Sequence, residues 1–174
     1  MTATEKFKRD LGIIVDKYKP VRILELGVET GKSTKVFLKR PYVELFSVDC
    51  VENKELAEEL SVYKNWEYVI DDVDNVLDNY MNMDMIFMDI TYYEPLNKEY
   101  GMPEMHKVSS AGWKRDLPRC WELLNEGGIL VISDYMNDVG YRPGPRKELN
   151  DFTNGLDKTF EVYPARGGLA VLQK

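Results

Sequence analysis

An acid and two glycines form the clearest candidate ligand site in this 174-residue chain. The apolar run 23–26 contains Glu25, and Gly27 and Gly31 follow with three residues between them. This pattern predicts a buried strand that turns sharply into a helix, because glycine lets the backbone bend and approach a ligand. Open parallel sheets bind ligands beyond the carboxyl ends of such strands. The segment therefore predicts a binding site at the end of the first strand.

Two phosphate-binding loops are partly similar to this segment. Gly31-Lys32-Ser33 reads like the end of a P-loop, but that motif needs four residues between its glycines and this chain has residues 28–30. The dinucleotide loop G-x-G-x-x-G has a glycine where this chain has Glu29, whose carboxylate would also repel a polyanion. A phosphate-binding NTPase that uses Lys32 and Ser33 stays open as an alternative.

A cationic nucleoside suits an acidic loop better. S-adenosylmethionine (SAM) carries an ammonium, a sulfonium, a ribose diol and an adenine amino group, all of which acids can bind. The segment Glu25-x-Gly27-x-x-x-Gly31-x-Ser33 resembles the first motif of class I SAM-dependent methyltransferases. It is closest to the small O-methyltransferases related to macrocin and catechol O-methyltransferases. The resemblance implies SAM as the cofactor, with Glu25, Gly27, Gly31 and Ser33 among the residues that bind it.

Composition predicts one compact, soluble, cytoplasmic domain over residues 1–174. Hydrophobic residues make up 44% of the chain, which is enough for a sizeable core. The net charge of −7 argues against a nucleic-acid backbone as the main partner. No apolar run approaches membrane-spanning length, and the charged first ten residues lack a signal-peptide core. We expect a small-molecule acceptor, no nucleic acid and no membrane.

Hydrophobic periodicity alternates between helices and strands along the chain. Helices are predicted for 4–18, 32–39, a segment capped by Asn53, 73–80, a segment around 117–124 that Gly127-Gly128 ends, and a segment after Pro145. Strands are predicted for 21–26, 43–49, 66–70, 84–89 and 129–133. This alternation predicts a parallel sheet with helices on both faces.

The end of the chain predicts an antiparallel hairpin. Residues 160–163 and 169–172 read as strands, and the link between them is too short for a parallel crossover. Class I methyltransferases end in the same way, and residues 123–128 and 146–152 also resemble family segments. The resemblance covers about residues 7–174. It implies a Rossmann-like α/β fold with a mostly parallel seven-stranded sheet and a C-terminal antiparallel hairpin.

Acids occur at or near the carboxyl ends of five predicted strands, where ligands bind. They are Glu25, Asp49, Asp72, Asp89 and Asp134. Asp49 is placed to accept hydrogen bonds from both ribose hydroxyls, and Val51 to pack on the adenine. The resemblance places Asp72 near the adenine amino group, although Asp72 also fits the N-cap of the next helix. Asp89 is expected to contact the cofactor as well.

The resemblance assigns the reacting end to Asp89 and Asp134. Metal-using relatives hold a divalent ion with an acid after strand 4 and an Asp-Asn pair after strand 5, and the ion acidifies a substrate hydroxyl. Asp89 and Asp134 match two of these positions, which predicts catalytic roles and Mg²⁺ binding for both. The third position holds Tyr135 instead of Asn. Asn137 or Asp138 could replace it as a ligand.

The only histidine of the chain, His106, lies in a turn-prone segment, 90–109, that should overhang the site. Its imidazole is a candidate general base for a hydroxyl nucleophile. The prediction is SAM-dependent O-methylation of a small molecule by in-line transfer, with a non-catalytic SAM-binding subunit as the alternative. Few residues precede the first strand. The acceptor pocket is therefore expected from 90–109, from 135–145 or from the second subunit of a homo-oligomer.

Overall fold

The computed structural model describes residues 1–90, 93–95, 106–108, 111–136, 145–165 and 167–174. In chain order its helices are α1 (Ala3–Tyr18), α2 (Lys32–Phe37), α3 (Lys54–Leu60), α4 (Val73–Val76), α5 (Ala111–Leu123) and α6 (Arg146–Leu156). Its strands are β1 (Arg22–Leu26), β2 (Glu44–Asp49), β3 (Trp66–Ile70), β4 (Met83–Met88), β5 (Tyr93–Pro95), β6 (His106–Val108), β7 (Leu124–Ile132), β8 (Glu161–Tyr163) and β9 (Leu169–Gln173). The predicted alternation is confirmed.

Local chemistry sets the bounds of α1. The Thr2 hydroxyl accepts from the Glu5 amide at 3.2 Å, and the Glu5 carboxylate accepts from the Thr2 amide at 2.6 Å, so the two form a capping box. The helix ends at Tyr18, and its C-cap Lys19 adopts the left-handed conformation (φ 49°) just before Pro20. A proline cannot continue a helix, so the chain turns there into β1.

The sheet has the order β3-β2-β1-β4-β7-β9-β8. Its first five strands are parallel, while β9 runs antiparallel to both β7 and β8. The chain therefore moves outward from β1 to β3 and then returns to the other side of β1 with β4. Such a reversal of strand order opens a crevice beyond the carboxyl ends of the two central strands. The predicted seven-stranded sheet and its closing hairpin are confirmed.

Successive side chains of each strand face opposite layers of helices. In β1, Leu24 and Leu26 join a core that includes α5, whereas Ile23 joins the core formed with α1 and α2. Glu25 alternates with Leu24 and Leu26, so it faces the α1 and α2 layer. The position of this acid within the strand thus turns its side chain into the protein interior.

Three details differ from the sequence predictions. The helix predicted over 73–80 is a single α-helical turn, α4, followed by the 3-10 turn Leu77–Asn79. Gly127 and Gly128 lie inside β7 instead of ending α5, at the point where the β4–β7 register shifts between Met83 and Met85. A β-carbon on Gly128 would lie 2.9 Å from the Asn125 carbonyl oxygen, so this irregular pairing requires glycine.

The third difference is that β5 and β6 form an antiparallel pair inside the segment predicted as a loop. Asn137 and Asp138, the two residues named as possible ligands in the loop after β7, lie outside the described residues. Across the described ranges, we find no helix long and apolar enough to cross a membrane.

Candidate functional site

A cleft of about 930 Å³ lies where β1, β2, β4 and β7 end. Five of the predicted site residues line it: Gly27, Asp49, Val51, Asp89 and Asp134. All five end one of these four parallel strands or lie in the loop after it, so the sheet itself brings them together. The predicted position of the site, beyond the carboxyl ends of the strands, matches the position of this cleft.

Gly27 lets two strand ends meet at the floor of the cleft. Its φ is +88°, and its amide donates to the Val48 carbonyl at 2.8 Å. A β-carbon at this position would lie 2.3 Å from the carbonyl oxygen of Asp89. Both the backbone conformation and the close approach therefore require glycine.

Asp49 holds the loop that follows β1. Its Oδ2 accepts from the Val28 amide at 2.8 Å and from the Glu29 amide at 3.0 Å. Its Oδ1 accepts from the Val51 amide at 2.9 Å. A carboxylate can accept about four hydrogen bonds, so this half-buried group retains capacity for a ligand hydroxyl.

Glu29 and Asn53 also line the cleft, and the sequence analysis did not assign them to the site. Glu29 has a φ of +48°, the left-handed conformation that glycine provides in dinucleotide loops. The Asn53 side-chain amide donates to the Glu29 carbonyl at 2.9 Å, while its oxygen caps α3 by accepting from Leu56 at 3.0 Å. The N-cap pattern identified Asn53, but only the folded loop shows its second partner.

The remaining lining residues that the sequence analysis did not assign are Cys50, Glu52, Lys54, Glu55 and Ile90. Four of them belong to the connection between β2 and α3 or to the start of α3. The sequence offered a signal that these four residues line the site. They follow Asp49 closely, in a connection that must cross the carboxyl end of the sheet.

Gly31 lies outside the lining of the cleft. Its φ is +68°, and a β-carbon there would lie 2.5 Å from Cδ1 of Leu56. The glycine therefore lets α3 pack against the start of α2. The packing of α3 against α2 therefore explains why position 31 is a glycine.

Glu25 and Ser33 are buried and also lie outside the lining of the cleft. Glu25 accepts hydrogen bonds from the hydroxyls of Ser33 at 2.5 Å, Thr34 at 2.8 Å and Ser47 at 2.6 Å. Burial disfavours the charged form and raises the pKa of Glu25 to about 7, although the three hydroxyls oppose that rise. Glu25 and Ser33 are thus hydrogen-bonded to each other behind the loop.

Asp72 is exposed and serves as the N-cap of α4. Its carboxylate accepts from the Asp74 amide at 3.0 Å. This is the capping role that the sequence left open, and Asp72 is not among the residues that line the cleft.

Asp89 and Asp134 form an acidic pair at the other end of the cleft. Asp89 is exposed to the cleft, and partial desolvation by the surrounding protein atoms raises its pKa to about 6. The charge of Asp134 adds to the rise, while a hydrogen bond with Ser133 opposes it. Asp134 has a left-handed backbone (φ 57°), as Glu29 does across the cleft. A carboxylate with a raised pKa accepts a proton more readily near neutral pH.

Solved structures of methyltransferases share this architecture. A methyltransferase from Geobacter sulfurreducens is 13% identical, with a TM-score of 0.70, over 96% of this chain and 77% of its own. The 1,6-didemethyltoxoflavin-N1-methyltransferase of Burkholderia thailandensis, solved with its substrate and S-adenosylhomocysteine, is 19% identical, with a TM-score of 0.69, over 96% and 77% of the two chains. The O-methyltransferase TomG of Streptomyces achromogenes, solved with SAM, is 15% identical, with a TM-score of 0.66, over 99% and 80%.

The chain has the class I methyltransferase fold. No protein-family model and no curated protein sequence matches it. At these identities the structural similarity establishes the fold, as the sequence analysis predicted.

The described residues do not complete the metal site that the family resemblance implied. Within the described ranges, no group of three or more His, Cys, Asp or Glu could hold a metal ion. Tyr135, at the predicted third ligand position, is buried, with its hydroxyl donating to Asn150 at 3.3 Å and its ring packed edge-on against Phe160. Asp89 and Asp134 are two members of the predicted ligand set, and the proposed replacements for the third, Asn137 and Asp138, lie outside the described residues. The predicted Mg²⁺ is not supported.

His106 begins β6 of this fold and pairs with Pro95 across the two-stranded sheet. Its backbone therefore belongs to the segment that was predicted to overhang the site. A role as general base stays a prediction.

Proposed function

We propose that the chain is a SAM-dependent methyltransferase that methylates a small molecule, with O-methylation as the chemistry. The acidic cleft at the point where the strand order reverses carries this proposal. Among the described residues, six carboxylates and one lysine line it: Glu29, Asp49, Glu52, Glu55, Asp89, Asp134 and Lys54. Such a lining attracts a ligand with cationic groups and repels a polyphosphate.

The hydrogen bonds of the loop argue against the NTPase alternative. A P-loop directs its backbone amides toward phosphate oxygens. Here the Val28 and Glu29 amides already donate to the Asp49 carboxylate. Lys32, which an NTPase would need at the ligand, is exposed and does not line the cleft.

The cleft suits a ligand that spans from β2 to β4. Asp49 and Val51 provide an acceptor for ribose hydroxyls and an apolar contact for the base at one end. Gly27 leaves open space at the middle, and Asp89 and Asp134 supply negative charge at the other end. Cofactor contacts of Glu25, Gly31, Ser33 and Asp72 form no part of this proposal, because their side chains or backbone serve the internal contacts described above.

Bound SAM would supply an electrophilic methyl group on a sulfonium. Asp89 then acts as the general base: it takes the proton from an acceptor hydroxyl as the oxygen attacks the methyl carbon. The leaving group would be S-adenosylhomocysteine, whose sulfur would keep the electron pair of the broken C–S bond. Holding the two reactants in line supplies much of the rate enhancement.

A non-catalytic SAM-binding subunit is the second candidate. It would keep the Asp49 interactions but would not need a base with a raised pKa. The position of Asp89, whose pKa is raised to about 6 beside Asp134, favours the enzyme.

Calorimetry with S-adenosylhomocysteine, SAM and Mg-ATP tests the binding part of the proposal. We expect both adenosyl ligands to bind and ATP not to bind, and ATP binding alone would overturn the proposal. Incubation with SAM and a low-molecular-weight extract then tests catalysis by mass spectrometry of S-adenosylhomocysteine. Asp89→Asn is the matched control, which should bind the cofactor and form no product. Cofactor binding without product in the wild type would favour the accessory subunit.

A further inference from the structure

Glu25 holds a buried carboxylate away from the ligand cleft. The side chain is fully buried, and in the described part of the chain its hydrogen-bond partners are three hydroxyl groups. Burying a charge without a cationic partner costs free energy, so a carboxylate at this strand position is expected to have a structural or functional role. The elements that carry the three hydroxyl groups indicate this role.

The partners of Glu25 join three elements around the glycine loop. Ser33 and Thr34 lie in the first turn of α2, directly after the loop that begins at Gly27. Ser47 lies on β2, in register with Glu25 across the β1–β2 pair. Glu25 therefore ties the far end of the loop to β1 and β2, while Asp49 holds its near end through the backbone amides.

We propose that Glu25 is a positioning residue that fixes this loop for cofactor binding, and that its ionised form does so better than its neutral form. The proposal rests on the proposed function, because the loop is assigned to SAM. Cofactor affinity would then respond to the protonation of a group that does not touch the cofactor.

The direction of the hydrogen bonds distinguishes the two forms. The Trp66 indole N–H donates to Ser47 Oγ at 3.0 Å, so the Ser47 hydroxyl proton is left to donate to Glu25. The ionised carboxylate accepts all three hydroxyls. A protonated Glu25 is itself a donor, so one hydroxyl must reverse and accept from it, and the charge-assisted hydrogen bonds that hold the start of α2 become weaker neutral ones.

The charges around Glu25 place this change near neutral pH. Burial raises its pKa to about 7, and the charge of Asp89 at the end of β4 acts in the same direction. Asp49 ends β2 and Lys32 begins α2, so these charged groups also lie on elements that pack against β1. Because the charges of these groups also act on the ligand, a test must subtract their contribution.

The test compares the dissociation constant of S-adenosylhomocysteine from pH 6 to pH 8.5 in the wild type, Glu25→Gln and Thr34→Val. Glutamine resembles the neutral carboxyl group and does not titrate, so the ratio of variant to wild-type constants at each pH is the quantity of interest. We expect the affinity of the wild type to rise about tenfold more than that of Glu25→Gln over this range. Other titrating groups, including the ligand amine, are common to both proteins and cancel.

Thr34→Val keeps the shape of the side chain and removes one donor to the ionised form. The pKa of Glu25 should therefore rise further, and the step in the affinity profile should move to higher pH. This variant also keeps the test decisive if Glu25→Gln does not fold. A ratio that stays constant with pH, together with an unshifted profile in Thr34→Val, would overturn the proposal. Failure of the wild type to bind S-adenosylhomocysteine at any pH would instead contradict the proposed function.

Discussion

Gly27 and the carbonyl group of Asp89 approach each other more closely than any side chain would permit. A β-carbon on Gly27 would lie 2.3 Å from the Asp89 carbonyl oxygen and 2.9 Å from its carbon. The two residues follow β1 and β4, the central strands between which the strand order reverses. The Asp89 amide donates to the Leu26 carbonyl at 2.9 Å, so backbone pairing fixes this approach.

We predict that Gly27→Ala lowers the free energy of unfolding by about 2–4 kcal/mol, because it adds a backbone clash to a left-handed φ of +88°. Urea unfolding followed by circular dichroism measures this change. Gly155→Ala is the matched control, since Gly155 lies in α6 and a β-carbon there meets no atom within 4 Å. The control should be neutral or stabilising by up to about 1 kcal/mol. Equal destabilisation by both variants would contradict this account.

The sheet and the position of the cleft could be predicted because they depend on local patterns. Buried runs that alternate with amphipathic helices define parallel strands, and acids at the strand ends then lie at one edge. Asp49 and Asp89 were placed in this way. The hydrogen bonds of Asp49 to the loop and the pairing of Asp89 with Asp134 depend on distances that only the folded chain provides.

Glu25 shows where sequence reasoning stopped. Its position two residues before Gly27 suggested a ligand contact, but strand alternation turns its side chain toward α1 and α2. Its partner Ser47 comes from β2, 22 residues away in the chain. A contact of that separation leaves no local pattern. The prediction that Gly127 and Gly128 end a helix was wrong for a similar reason. A Gly-Gly pair after a helix also fits a strand with a shifted register.

Asp49→Asn should weaken S-adenosylhomocysteine binding by about 1–3 kcal/mol, because an amide nitrogen cannot accept from the loop amides or a ligand hydroxyl. Calorimetry measures the change. Glu52→Gln is the control, since it also removes one acid that lines the cleft but Glu52 is exposed at its rim. If Glu52→Gln weakens binding equally, the general charge of the cleft and not the geometry of Asp49 decides affinity.

The pKa of Asp89 should move in opposite directions in two variants. Asp134→Asn removes a negative neighbour and should lower it, whereas Lys32→Gln removes a positive neighbour and should raise it. The carboxyl carbon shift of labelled Asp89, followed against pH by NMR, measures both without an acceptor. Two shifts in the same direction would mean that these variants act through structure and not through charge.

Glu25→Gln should change how stability depends on pH. The pKa of Glu25 is raised from 4.5 to about 7 on folding, so the folded state binds more protons than the unfolded state between these values. The free energy of unfolding of the wild type therefore falls as pH rises through this window, by about 2–3 kcal/mol from this fully buried group. Glutamine does not titrate, so the variant should lack this part of the decline. Asp89 contributes a decline to both proteins, which cancels in their difference apart from the coupling between Asp89 and Glu25. Urea unfolding of both proteins at pH 5 and pH 8 measures it, and parallel pH profiles would show that Glu25 ionises in the fold as easily as in the unfolded chain.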